Sequence, residues 1–219
     1  MVAGTSADEV TRLLREWAAR LARRDPTAVS YLRPGLTRAQ VDATTAEHGI
    51  RLPDDAAAVW TWHDGERDGL LDDVPPDRRV FPGGYFLSLR ATLEESRTLT
   101  SLSGIGPGDD YSEEEYSSER RGRPVQLFFR REFVLLSCAE HATYLDCTDP
   151  DVEHTGTACF STWSDTPTQQ VTLAERVAGW NLAWDAGVWP DAPTDWTTVD
   201  HQAAERLFGR GPHVDHRLQ

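Results

Sequence analysis

The sequence predicts an α+β fold, a mostly antiparallel sheet of about four to six strands packed with helices. Three observations carry that prediction. Capping-box signals at Ser6, Thr37 and Thr172 each precede residues at helical spacing. Short apolar runs then follow one another between turn residues from Tyr85 to Thr162. Helices grouped before and after consecutive strands give the α+β class.

Taken in order, Ser6-Ala7-Asp8-Glu9 opens a first helix, about Asp8 to Arg23, with Val10, Leu13, Leu14, Trp17 and Leu21 on one face. It ends before Asp25-Pro26, because a residue preceding proline is pushed out of the helical region. Thr37 and Gln40 cap a second helix, which His48-Gly49 closes through the left-handed conformation open to glycine. Ile50 and Leu52 are apolar pegs across the turn. Pro53 opens a third helix, and Asp54 and Asp55 place negative charge on its positive end. Val59, Trp60 and His63 are expected on one face, with Gly65 as the stop.

A polar loop from Glu66 to Pro82 leads to a short strand, Tyr85–Leu89, and a helix, Ala91–Leu99. From Ser101 to Arg123 the chain turns polar and acidic, without apolar periodicity, and reads as a mobile loop. Val125–Phe129 and Phe133–Ser137 read as a hairpin, and Ala142–Cys147 and Thr155–Thr162 as two further strands. Thr172 and Glu175 cap a helix carrying Leu173, Val177, Trp180, Trp184 and Val188 on one stripe. A last short helix spans about Asp200 to Phe208. The expected organisation is an N-terminal helical extension (1–30), a principal domain (31–190, with the acidic loop at 101–123) and a C-terminal helix and tail (191–219).

The chain has 219 residues, 22 of them basic and 36 acidic, giving a formal net charge of −14. That balance argues against binding nucleic acid or an anionic membrane surface and suits a basic partner. All the basic residues are arginine. Cys138, Cys147 and Cys159 form no CxxC pair, so they read as small buried hydrophobes rather than a disulfide framework. No secretory signal and no apolar run near the ~20 residues of a membrane span is read, so a cytoplasmic location is expected.

The pattern Gly35-x5-Val41, then Gly49-Ile50-Arg51-Leu52-Pro53-Asp54-Asp55, then Trp62-His63-Asp64-Gly65, resembles the SUKH superfamily. A second landmark, Phe81 to Ser96, is similar to the family's apolar strand running into a helix, and the resemblance covers roughly residues 30 to 188. That superfamily holds yeast cell-wall-synthesis regulators of the Smi/Knr type and immunity proteins of bacterial polymorphic toxin systems. The resemblance implies an immunity protein that neutralises a cognate toxin, while the charge and the lack of a catalytic constellation imply a binder, expected as a monomer or weak dimer. With the charge of the chain, a basic nuclease-type toxin is the expected partner. A regulatory scaffold is the alternative within binding functions.

Catalysis would begin at His63, where an imidazole lies near the carboxylates of Asp64 and Glu66. Adjacent helical positions do not face one another and no nucleophile elbow is present, so no catalytic residue is assigned. A hydrolase using His63 remains as the rival from another class. Metal readings through His213, Asp215 and His216, or through His141, Cys138 and Cys147, lack paired-ligand spacing, so no metal and no cofactor is expected. Gly104, Gly106 and Gly108 precede an acidic run that would repel phosphate. The predicted partner-binding residues are Trp62 and Asp64, together with Asp109, Asp110, Tyr111, Glu113, Glu114, Glu115 and Tyr116 of the acidic loop. There carboxylates would meet a basic surface and the tyrosines would supply aromatic anchors. Trp60 is assigned to the core and Trp62 to the surface.

Overall fold

A computed structural model describes residues 5–67, 79–82, 84–102, 132–138, 141–161, 164–192 and 198–208. The expected strand Val125–Phe129, the acidic run Asp109–Glu119, the Gly104–Gly108 stretch and the His213–His216 tail lie outside these residues. Among the described residues the fold is α+β, with six α-helices and two antiparallel sheets. The helices are α1 (Ser6–Arg24), α2 (Arg38–Glu47), α3 (Asp54–Trp62), α4 (Leu89–Leu102), α5 (Leu173–Asp185) and α6 (His201–Phe208). β1 (Leu32–Pro34) pairs with β2 (His63–Glu66). The larger sheet runs in sequence order through β3 (Tyr85–Phe86), β4 (Phe133–Cys138), β5 (His141–Asp146), β6 (Gly156–Ser161) and β7 (Ser164–Thr172).

Capping chemistry sets the helix starts. Thr37 accepts from the Gln40 backbone N–H and Gln40 Oε1 from the Thr37 backbone N–H, and Thr172 and Glu175 do the same for α5. At α1 the box lies one residue earlier than the sequence reading placed it. Thr5, extended at φ −73° and ψ 164°, is the cap and Asp8 its partner. Gly49 closes α2 at φ 66°, as expected.

α1 is part of the core. It buries Val10, Leu13, Leu14, Trp17 and Leu21 against α3 and α5. Trp17 sits among Trp180, Trp184 and Trp189, with ring centroids 5.5–6.3 Å away and two of the three packed edge-on. Asn181 Nδ2 donates to the Leu13 carbonyl at 3.1 Å, and Arg20 grips Asp185 through two bonds of 3.0 and 2.7 Å.

The large sheet turns one face to this layer. Val134, Leu136 and Leu145 join the main core, whereas the alternate residues Phe133, Leu135 and Tyr144 form a second cluster with Leu87. A buried polar tie fixes α3 to the sheet. Asp55, 1 % exposed, accepts from the Thr155 backbone N–H at 2.8 Å and from the Thr155 hydroxyl. Two residues further on, within β6, Thr157 Oγ1 accepts from Arg176 Nε of α5 at 2.7 Å.

Three expectations are corrected. α3 stops at Trp62, and His63–Glu66 continue as a strand, so His63 shares no helical face with Val59 and Trp60. Leu89 opens α4 instead of ending a strand. A nine-residue strand, β7, occupies a stretch not read as structured, and its Pro167 sits in the last strand of the sheet order, where a missing N–H is tolerated.

Candidate functional site

The corner where α3 runs into β2 carries both the predicted residues of the described chain and its most unusual carboxyl. β2 exists because α3 ends at Trp62 and the chain extends to pair with β1, Leu32 facing Glu66 and Pro34 facing His63. Two glycines let this happen. A Cβ on Gly35 would lie 2.0 Å from the Thr61 carbonyl oxygen. One on Gly65, at φ +79°, would lie 2.3 Å from Ser88 N. Gly65 is thus required by close backbone approach within a strand, not as a helix stop.

Trp60 is fully buried, as assigned, and its indole N–H donates to the Leu87 carbonyl at 3.3 Å. Trp62 is half-buried instead of standing on the surface. Its ring stacks on Phe81 and Phe86, with centroids 6.2 and 6.1 Å away and planes tilted by 22° and 25°. Asp64 is half-buried too, and its Oδ1 accepts from Leu89 N at 2.9 Å. Ser88 Oγ accepts from Ala91 N at 3.2 Å, so the first turn of α4 is capped from its own chain by Ser88 and across a gap of 25 residues by Asp64. Burial raises the Asp64 carboxyl, against the Leu89 N–H and the charge of Arg33.

His63 Nδ1–H donates to the Arg33 carbonyl at 2.6 Å. That bond fixes the ring through backbone, and Asp64 turns the other way, toward α4. The hydrolase geometry, a carboxylate orienting His63, is therefore not formed by Asp64. Glu66 is only 2 % exposed. Its Oε1 accepts from Val80 N at 2.7 Å, and its Oε2 makes no hydrogen bond among the described residues. Burial pushes its carboxyl up to about 7, outweighing the Val80 and Phe86 N–H groups and the nearby Arg79 charge. The Val80 carbonyl in turn accepts from Trp17 Nε1 at 2.9 Å, so the residue is gripped on both sides.

The structure thus brings Trp62 and Asp64 together with Glu66, Phe81, Phe86 and Leu89, and spends both on packing and capping. The other predicted residues, Asp109, Asp110, Tyr111, Glu113, Glu114, Glu115 and Tyr116, lie outside the described residues. Sequence reasoning missed the role of Glu66. The available signal was a carboxylate directly after Gly65 and followed by a polar stretch, which reads as loop. Sequence reasoning also passed over the β5–β6 connection, where Asp149, Asp151 and Glu153 are exposed and Arg51 pairs with Asp151 at 2.6 Å.

Among the described residues no group of three or more histidine, cysteine or acidic side chains is placed to hold a metal, and no helix is long and apolar enough to cross a membrane. Cys147 is a buried free thiol, raised well above its ordinary range by burial and the neighbouring carboxylates of Asp146, Asp55 and Glu132. No protein-family model matches the chain, and no curated protein matches it.

Proposed function

We propose that this chain is a SUKH-like immunity protein that binds a cognate, basic toxin domain of the nuclease type in the cytoplasm and masks it, as a monomer or weak dimer. The observation that carries the reading is the net charge of −14 on 219 residues, a field that draws in a basic partner and repels nucleic acid. The landmark from Gly35 to Gly65, which bears the family resemblance, supports it as a tightly packed platform whose glycines are sterically required. With Trp62 and Asp64 largely committed to internal contacts, docking is assigned mainly to the acidic run Asp109–Glu119, together with the exposed acids of the β5–β6 connection.

A pull-down from native cytoplasm at low and moderate salt tests this, with bound proteins identified by mass spectrometry. One stoichiometric partner with a basic toxin-like domain, released as salt rises, is the expected result. A cell-wall or signalling enzyme in its place would replace immunity with the scaffold reading. With the partner in hand, reversing Glu113, Glu114 and Glu115 to Arg should slow association by about tenfold or more and flatten its salt dependence. An unchanged rate and salt response in stopped-flow binding would remove the acidic run from the interface.

A further inference from the structure

We infer that Glu66 is a proton-controlled latch: neutral, it stays buried beneath the Val80 segment, and ionised, it favours opening of that segment to water. The geometry comes first. Glu66 is 2 % exposed, and one carboxyl oxygen is satisfied by the Val80 N–H while the other has no donor among the described residues. A neutral acid leaves an uncharged hydroxyl unpaired there, which costs far less than burying a full charge. A carboxylate would bury a full charge whose lost solvation the Val80 and Phe86 N–H groups do not offset.

The surrounding charges do not cancel this cost. Arg79, on the held segment, lies with its guanidinium 4.6 Å from the centre of the Tyr85 ring. Its charge favours ionisation of Glu66 less than burial opposes it. His63 is bonded to the Arg33 carbonyl and Asp64 to Leu89 N, while Arg67 is exposed at the end of β2. Arg33 on β1 acts on Asp64. α1 turns only Val10, Leu13, Leu14, Trp17 and Leu21 into the core, and the one buried acid of α3, Asp55, is bound at Thr155. The latch holds the residue on which Phe81 follows, and Phe81 with Phe86 forms the surface on which Trp62 stacks. Loosening it would therefore free the aromatic stack beside the landmark. This device operates whatever partner the protein binds.

The direction follows from linkage. The carboxyl holds its proton up to about 7 in the folded chain, against an ordinary value of 4.5. The latched state is therefore favoured in acid, weakens as pH rises from about 4.5 and stops weakening above about 7. Amide hydrogen exchange of the wild-type protein between pH 5.5 and 8 reads this directly, with each rate corrected for its intrinsic pH dependence. Protection of the Val80 amide should fall by roughly thirtyfold, from a level below that of core amides such as Ala57, as a local opening requires. The Glu66→Gln variant keeps an acceptor for Val80 without a proton to lose, and its protection should be flat across the range. A carbon-13 titration of the wild-type Glu66 carboxyl should give a midpoint near neutrality, and it decides the matter alone if the variant does not fold. Flat protection of Val80 in the wild type, protection of Val80 as high as that of the core amides, a surviving fall in Glu66→Gln, or a carboxyl midpoint in the ordinary glutamate range would each overturn the latch.

Discussion

Around Trp17 the molecule is held by indoles, and around Glu66 by carboxyls. The helical layer of α1, α3 and α5 buries large apolar rings whose attraction has little direction and no titrating group. The corner formed by β2, β3 and α4 is positioned by single, directional bonds, Asp64 to Leu89 N and Glu66 to Val80 N. Both sets converge on Val80, gripped by Trp17 through its carbonyl and by Glu66 through its N–H. The difference teaches that one small core can be filled by non-titrating rings on one side and positioned by a titrating carboxyl on the other. Apolar burial supplies the bulk of the stability, while the polar ties decide where the β2 corner sits.

The comparison can be broken most forcefully from the apolar side. Trp17→Ala should cost about 3–5 kcal/mol in chemical denaturation, by the same amount at pH 8 and about pH 9, above the range in which Glu66 titrates, because it opens a cavity among three tryptophans. A cost that changed steeply with pH would tie the indole layer to titrating groups and erase the distinction. The carboxyl side gives a smaller effect that depends on conditions. The folded chain keeps the Glu66 proton up to about 7, whereas the unfolded chain loses it near 4.5. Glu66 therefore removes about 3 kcal/mol of stability as pH rises between those values, with no further loss above them. Denaturation curves across that window, compared with those of Glu66→Gln, isolate this contribution. The smallest effect is expected from Asp64→Ala, about 1 kcal/mol for the lost cap on α4, read as a shift in thermal midpoint. If Asp64 were chiefly a partner contact, the substitution would leave stability untouched and weaken binding instead.

How much of this was legible in the sequence follows the same division. The capping boxes at Thr37 and Thr172, the Gly49 stop, the apolar stripe of α1 and strands β4 to β6 are written in local chemistry, and local chemistry decides them. β2 was not legible, because His63-Asp64-Gly65-Glu66 has no period-two pattern. It becomes a strand only by pairing with residues some thirty positions earlier. β7 was hidden by its polar composition and by Pro167, a residue that weakens any strand signal. Asp64 and Glu66 were legible as charges but not as ties, since their partners Leu89 and Val80 are backbone groups that any sequence would offer. Trp62 was assigned outward from its helical spacing to Trp60. Phe81 and Phe86 arrive from beyond the helix and cover it.

The contact between α1 and α5 also has a consequence for biosynthesis. Arg20 and Asp185 are 165 residues apart, and Trp17 packs on the rings of Trp180, Trp184 and Trp189. A ribosome adding 5–20 residues per second needs roughly 8 to 33 s to cover that interval. Throughout it the first helix emerges with its apolar face uncovered by its final neighbour. The nascent chain therefore presents an amphipathic segment to whatever waits at the tunnel exit long before the fold can claim it.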